Sequence, residues 1–157
     1  MTKICFVCHG NICRSPMAEF IMKELVRREG LEESFHIESR ATHTDEIWNG
    51  TGSPIYPPAA SELKRHSVPY DPERQATLLK VSEAEDFDLF VGMDEENERY
   101  LKKILPSAAH GKIRLLMSFA GESRAVSDPW YTRNFSRAYH DIAHGCKALL
   151  KRTGEMK

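Results

Sequence analysis

The N-terminal end of the chain contains the pattern that most restricts the fold. Residues 3–8 form a short run rich in β-forming side chains, and the polar residues 9–11 follow at once. Ser15 and Pro16 then offer a helix N-cap with proline in the first turn, and Gly30 offers a helix stop. We therefore predict a strand, a tight loop and a helix, which is the beginning of a βαβ unit.

The same alternation continues to the end of the chain and predicts the fold class. We expect further strands over 35–40, 86–93 and 112–119, and further helices over 58–65, 94–105 and 134–152. Two polar connections, 41–58 and 120–133, are long enough to be functional loops. Strands that alternate with helices predict an α/β fold: one domain over 1–157 with a doubly wound parallel sheet of about four strands and helices on both faces.

Composition excludes several classes of function. The 157 residues carry 22 Lys and Arg against 23 Asp and Glu, so no nucleic-acid partner is expected. The longest apolar runs are far shorter than the roughly 20 residues that cross a bilayer, so we expect no membrane association and no signal peptide. Three of the four cysteines lie within the first 13 residues, which is unsuited to a disulfide framework. We predict a cytoplasmic protein with reduced thiols.

The loop after the first strand is placed to bind an anion. Ligands of open parallel sheets bind at the carboxyl ends of the strands, and helix N-termini attract negative charge. Gly10 and Asn11 both tolerate positive φ, so residues 8–14 can curl until several N–H groups face one centre. A phosphate group fits such a nest, with the planar fork of Arg14 on two of its oxygens.

Cys8 is then the candidate nucleophile. A helix N-terminus and a nearby guanidinium both favour the thiolate over the thiol. Ser15 either donates its hydroxyl to that thiolate or caps the helix. The spacing Cys-x5-Arg is weakly specific by itself, and a structural cysteine beside a surface arginine is the alternative; the strand before the loop and the Ser-Pro helix start after it favour catalysis.

Three separated blocks resemble one family. The sequence VCHGNICRSP at 7–16 looks like the phosphate-binding loop of the low-molecular-weight protein tyrosine phosphatases. GMDEEN at 92–97 is similar to the family's Met-Asp-x-x-Asn, and DPW at 128–130 is similar to its Asp-Pro-aromatic. The resemblance spans nearly the whole chain.

The resemblance implies phosphotyrosine hydrolysis through a phosphocysteine intermediate, with no metal and no other cofactor. Asp128 would protonate the leaving phenolate and then activate water. Cys13 matches a second loop cysteine that can form a reversible disulfide with the nucleophile. The implied partners are phosphotyrosine-containing proteins and a cognate tyrosine kinase. The expected substrate-binding residues are His9, Gly10, Asn11, Ile12, Cys13, Ser15, Trp48, Trp130 and Tyr131, the last three as aromatic walls.

Two of the departures from the family pattern concern the phosphate-binding loop. His9 stands where the family most often has an apolar residue, so it either tunes substrate choice and pH dependence or is merely solvated. The histidine with which relatives often brace the phosphate loop is absent. The chain has DPERQ at 71–75 in that region, and Asp71 and His66 are the candidate substitutes.

Other activities remain open from the sequence. Protein arginine phosphatases of the same family differ by a Thr at the position of Ile12, and an apolar side chain there favours a phenyl ring. Thioredoxin-coupled arsenate reductases need two further mid-chain cysteines, whereas here only Cys146 lies beyond the loop. A zinc site is suggested weakly by Cys5-x2-Cys8 and by the pair His140 and His144. A module that binds phosphotyrosine without hydrolysing it would lack the nucleophile or the acid. Both Cys8 and Asp128 are present, which disfavours this alternative.

Overall fold

A four-stranded parallel sheet forms the centre of the molecule. The computed structural model describes residues 1–155. The order of the strands in the sheet is β2-β1-β5-β6, and a separate hairpin is formed by β3 and β4. Within the described residues the strands are β1 (Thr2–Cys8), β2 (Phe35–Ala41), β3 (Ile47–Trp48), β4 (Thr51–Gly52), β5 (Leu89–Gly92) and β6 (Ile113–Leu115).

Helices cover this sheet. Short 3-10 turns connect several of the elements. No helix within residues 1–155 is long and apolar enough to span a bilayer. The α-helices are α1 (Arg14–Arg28), α2 (Pro57–Arg65), α3 (Glu95–Ile104), α4 (Pro129–Thr132) and α5 (Phe135–Glu155).

The alternation of side chains along β1 explains why both faces of the sheet are covered. Successive side chains of a strand point to opposite faces, and those of β1 are buried on both because a separate core packs on each face of the sheet. Ile4 and Phe6 belong to a core with α1, α2 and α5, whereas Cys5 and Val7 belong to a second core with α3. The expected α/β architecture with helices on both faces is therefore confirmed.

Two strands are shorter than the sequence pattern predicts. The predicted strand 112–119 pairs only over Ile113–Leu115, because its partner β5 ends at Gly92, opposite Leu115. Beyond that point the chain turns into a 3-10 helix that packs on α5. The predicted strand 86–93 is regular only over Leu89–Gly92. Just before it, Asp88 accepts a hydrogen bond from the Lys3 amide and donates its own amide to the Lys3 carbonyl.

The parallel register brings the ends of three strands to one edge. Cys8 pairs with Ala41 at the end of β2, and Val7 pairs with Gly92 at the end of β5. The loops that follow β1, β2 and β5 therefore leave the sheet at the same edge. This is where ligands of open α/β sheets bind.

The close packing of α5 on the segment after β6 yields a stability prediction. A Cβ at Gly145 would lie 2.5 Å from Leu116 Cγ, whereas a Cβ at Gly154 would meet nothing within 4 Å. We expect Gly145→Ala to destabilise the protein by about 1–3 kcal/mol through overpacking, although alanine is the better helix former. Gly154→Ala is the matched control and should be neutral or stabilising by up to about 1 kcal/mol.

The urea midpoint of each variant, at an unchanged slope, measures this difference. A gain in stability for Gly145→Ala equal to that of the control would contradict the tight contact.

Candidate active site

The loop between β1 and α1 is held by neighbouring backbone. The amides of Thr42 and His43, just after β2, donate to the carbonyls of Cys8 and His9 at 3.0 and 3.1 Å. Asn11 adopts the left-handed conformation with φ of 59°, which this residue type tolerates. Gly10 is not among the residues with positive φ; its missing side chain instead leaves room for Glu46, whose Cγ would lie 3.2 Å from a Cβ there.

A cavity of about 440 Å³ opens above this loop and contains the three predicted catalytic residues. Cys8, Arg14 and Asp128 all line it, although they lie up to 120 positions apart in the sequence. The predicted residues that also line it are His9, Gly10, Ile12, Cys13, Trp130 and Tyr131. The residues that were not singled out as binding residues are Asp45, Glu46, Asp94, Glu96 and Asn97.

Ser15 contacts the sulfur of Cys8. Its Oγ lies 3.0 Å from Cys8 Sγ, and both side chains are buried. Ser15 does not cap α1: the helix begins one residue earlier, at Arg14, and its N-cap residue Cys13 makes no side-chain capping bond. Of the two roles expected for Ser15, the structure therefore supports contact with the sulfur.

The side chain of Asn11 determines which way the Ser15 proton points. Asn11 Oδ1 faces Arg74 Nη2 and the Thr77 amide, which are donors only. The Asn11 amide nitrogen must therefore be the group that donates to Ser15 Oγ at 2.8 Å and to Ser39 Oγ at 2.9 Å. Because Ser15 Oγ accepts from Asn11, its own proton is free to point at Cys8 Sγ.

Arg74 braces the loop, and neither proposed substitute does. Its Nη1 donates to the Asn11 carbonyl at 2.8 Å, in addition to the bond to the Asn11 side chain. Asp71 instead accepts from the amide of Glu73. His66 stacks on Tyr139 at 3.8 Å. The expectation that Asp71 or His66 replaces the missing histidine was wrong, because a long guanidinium reaches the loop from position 74 with two donors.

The side chains of Asn11 and Ser15 do not face the cavity. Both are fully buried and neither lines the cavity. They were predicted as substrate-binding because they belong to the phosphate-binding loop. Their side chains instead point into the protein, where they fix the loop and the sulfur.

Arg14 is aimed into the cavity by groups from two other loops. Its Nη2 donates to Asp94 Oδ2 at 2.7 Å, and its Nη1 donates to the Val126 carbonyl at 3.1 Å. Asp94 is itself fixed as the N-cap of α3, where its Oδ1 accepts from the Asn97 amide at 2.8 Å. The sequence showed Asp94 as a helix cap in a family motif; its place at the end of β5 is the signal that could have identified it as a partner of Arg14.

Asp128 combines a structural and a site-facing role. Its Oδ1 accepts from the Trp130 amide at 3.0 Å and caps the four-residue helix α4. Its Oδ2 lies 3.5 Å from Arg14 Nη2, and about a third of the side chain is exposed. One carboxylate oxygen is thus used to fix the residue while the other faces the cavity.

The expected aromatic walls are only partly present. Trp130 lines the cavity, and its ring centroid lies 5.5 Å from that of Tyr56. Tyr131 also lines the cavity, although it is 83% exposed. Trp48 is 62% exposed and is not part of the lining. It lies at the end of β3, where the hairpin turns through Asn49 and Gly50 with positive φ. The structure therefore does not bring Trp48 to the cavity.

Cys13 and the suggested metal ligands have other surroundings. Burial raises the pKa of the Cys13 thiol to about 12, so Cys13 is protonated near neutral pH and Cys8 remains the candidate nucleophile.

Cys5 and Cys8 face opposite sides of the sheet, as the alternation predicts. His144 contacts Glu122 at 3.1 Å. No group of three potential ligands among residues 1–155 could hold a metal ion.

Comparison with known proteins identifies relatives over nearly the whole chain. Residues 3–157 match the family described as Low molecular weight phosphotyrosine protein phosphatase. The low molecular weight protein-tyrosine-phosphatase PtpA of Staphylococcus aureus is 35% identical over 152 residues, which are 96% of this chain and 92% of the relative.

Solved structures agree with these sequence matches. The low molecular weight protein tyrosine phosphatase SP-PTP of Streptococcus pyogenes superimposes with a TM-score of 0.84 at 38% identity and covers 97% of this chain and 93% of its own. YfkJ of Bacillus subtilis superimposes with a TM-score of 0.88 at 31% identity, and the match covers 100% of this chain and 97% of YfkJ. The chain therefore belongs to the low molecular weight protein tyrosine phosphatases, a family of enzymes.

Proposed function

We propose that this enzyme hydrolyses phosphotyrosine in proteins through a phosphocysteine on Cys8, with Arg14 as the phosphate clamp and Asp128 as acid and base. The observation that carries the proposal is that all three side chains line one cavity, with the sulfur at the N-terminus of α1. Backbone N–H groups there are free of helical partners and attract a phosphate.

The first step transfers the phosphoryl group to sulfur. The Cys8 thiolate, supported by the Ser15 hydroxyl, attacks phosphorus opposite the phenolic oxygen. An S–P bond forms as the P–O bond breaks. Arg14 and the loop amides hold the equatorial oxygens, where charge accumulates. Asp128 enters this step protonated and gives its proton to the departing phenolate.

The second step returns the enzyme to its resting form. Asp128, now ionised, accepts a proton from a water molecule as that water attacks phosphorus. The S–P bond breaks, and inorganic phosphate and the Cys8 thiolate are the products. Both steps use the same carboxylate in opposite roles, and the residues alone supply the acid, the base and the nucleophile.

The lining favours an aromatic phosphoester. Ile12 and Trp130 give the cavity apolar surface on which a phenyl ring can pack. We place the enzyme in the cytoplasm, where its four free cysteines stay reduced, and expect a tyrosine kinase to supply its substrates.

The direct experiment compares matched phosphotyrosine and phosphoarginine peptides, with EDTA present. We expect phosphate release from phosphotyrosine by the wild type and none by Cys8→Ser, which should still bind vanadate. Release from phosphoarginine alone would overturn the substrate assignment. Equal turnover by Cys8→Ser would overturn the mechanism.

The role of Asp128 predicts a dependence on the leaving group. Asp128→Asn keeps an oxygen for capping α4 but cannot donate a proton to phenolate. We expect the rate of phenol release from phosphotyrosine in a single turnover to fall by about 10²- to 10⁴-fold, the usual range for a lost general acid. The loss should be much smaller for an aryl phosphate whose phenolate leaves without a proton. Equal losses on both substrates, measured by single-turnover kinetics, would argue against proton donation.

The bracing of Asn11 predicts an effect at a distance from the substrate. Arg74→Leu removes the two guanidinium bonds to Asn11 and leaves the Thr77 amide to hold its side-chain oxygen, so that the direction of the Ser15 proton is fixed less firmly. We expect kcat to fall by roughly 10- to 100-fold, as for the loss of a charge-assisted hydrogen bond. Alkylation of Cys8 by iodoacetamide at mildly acidic pH should slow in parallel.

Arg27→Leu is the control, since it removes an exposed arginine that pairs with Glu24 on α1. Normal turnover and alkylation by a folded Arg74→Leu variant would contradict the positioning role.

A further inference from the structure

His9 joins three elements at the mouth of the cavity. Its Nε2 lies 2.7 Å from Asp45 Oδ2, on the segment after β2, and its Nδ1 lies 3.3 Å from Glu96 Oε1, in the first turn of α3. The ring also stacks on His43, with centroids 3.9 Å apart and planes 9° from parallel. His43 in turn meets the edge of Tyr100 of α3 at 4.4 Å. Both ring nitrogens of His9 are thus in contact with carboxylates, and one face of the ring is covered by His43.

This arrangement suits only a protonated ring. Carboxylate oxygens accept hydrogen bonds, and both nitrogens of an imidazole donate only in the imidazolium form. A neutral ring would turn a lone pair toward Asp45 or Glu96. Burial by itself would lower the pKa of His9, but the hydrogen bonds that His9 donates to these carboxylates outweigh it and raise that pKa. Burial and the neighbouring His9 charge lower the pKa of His43, so that of the two stacked rings His9 is the one that takes up a proton first.

The charges around the cavity explain why such a cation matters there. Five carboxylates line the cavity, although its proposed ligand is a phosphate dianion. Asp94 and Asp128 are paired with Arg14, and Glu46 contacts the Ser53 hydroxyl. The two carboxylates left at the exposed mouth are those that His9 holds, Asp45 and Glu96, whose side chains are 64% and 51% exposed.

We propose that His9 is a positioning residue. As an imidazolium it donates hydrogen bonds to Asp45 and Glu96 and shields the entering phosphate monoester from their negative charge. Substrate and phosphate therefore bind best while His9 is protonated. Binding weakens as pH rises through its pKa, because the mouth then becomes more negative by one charge and one of the two bonds is lost. The inference rests on the proposed function only in taking a phosphate monoester as the ligand.

The test compares the wild type with His9→Gln, which is neutral at every pH. Inorganic phosphate is the probe, and its affinity is measured by calorimetry from about pH 5.5 to about pH 9, a range that spans the ordinary histidine pKa of about 6.5. Phosphate ionises alike in both titrations, so the ratio of the two dissociation constants isolates His9. We expect weaker binding by His9→Gln of about fivefold at the acidic end, from the loss of one unit charge near the bound phosphate anion, and a ratio that approaches one at the alkaline end.

The steady-state constants and a rescue variant separate shielding from simple structural support. The loss should appear in KM for phosphotyrosine peptide, with kcat nearly unchanged. The triple variant His9→Gln, Asp45→Asn, Glu96→Gln has no charges left to shield and should regain near wild-type affinity. His144→Gln, which breaks an exposed histidine–carboxylate pair outside the cavity, is the matched control and should change neither constant.

Several results would overturn the proposal. These are a ratio of one at all pH values, a ratio that does not change with pH, or a triple variant as weak as His9→Gln. Ring titration by NMR must also give a raised pKa for His9 that falls in Asp45→Asn. Phosphate affinity and ring titration need no turnover, so a failure of the proposed function would appear separately, as a lack of Cys8-dependent phosphate release.

Discussion

The side-chain amide of Asn11 is the group on which the geometry of the site depends. Asn11 occupies a left-handed conformation at the turn of the phosphate-binding loop, where its buried amide must find partners. Arg74 and Thr77 donate to its oxygen, and its nitrogen donates to Ser15 and Ser39. This one group connects α1, β2 and the segment before the 3-10 turn at Val81–Glu83, and it directs a proton to the sulfur of Cys8.

The site also balances an unusual amount of negative charge. Five carboxylates surround a place meant for a dianion, and they have separate duties. Asp94 fixes Arg14, and Asp128 caps α4 while its second oxygen faces the cavity. Arg14 and, in our proposal, His9 offset much of this charge where phosphate enters. Such paired charges give specificity and orientation more than raw affinity.

The local elements of the fold and the site could be predicted from the sequence. The strand, loop and helix around Cys8 follow from residue types and spacing, and Asp128 was identified through the family resemblance. The contacts of Arg74 with Asn11 and of Glu96 with His9 could not be predicted, because they join residues 63 and 87 positions apart. The end of β6 depends on where its partner β5 stops, and the exposure of Trp48 depends on a two-residue hairpin turn. Neither is encoded in the pattern of the segment itself.

In the proposed mechanism the phosphoryl group is transferred to the sulfur of Cys8 before it is transferred to water. This transfer is tested most directly by acid quench of the Asp128→Asn variant during turnover of an aryl phosphate whose phenolate leaves without a proton, followed by mass mapping of the peptide that contains residues 8–14. We predict one phosphoryl group on Cys8, present only with substrate and absent from Cys8→Ser. Steady turnover with no phosphorylated cysteine at any quench time would contradict the mechanism.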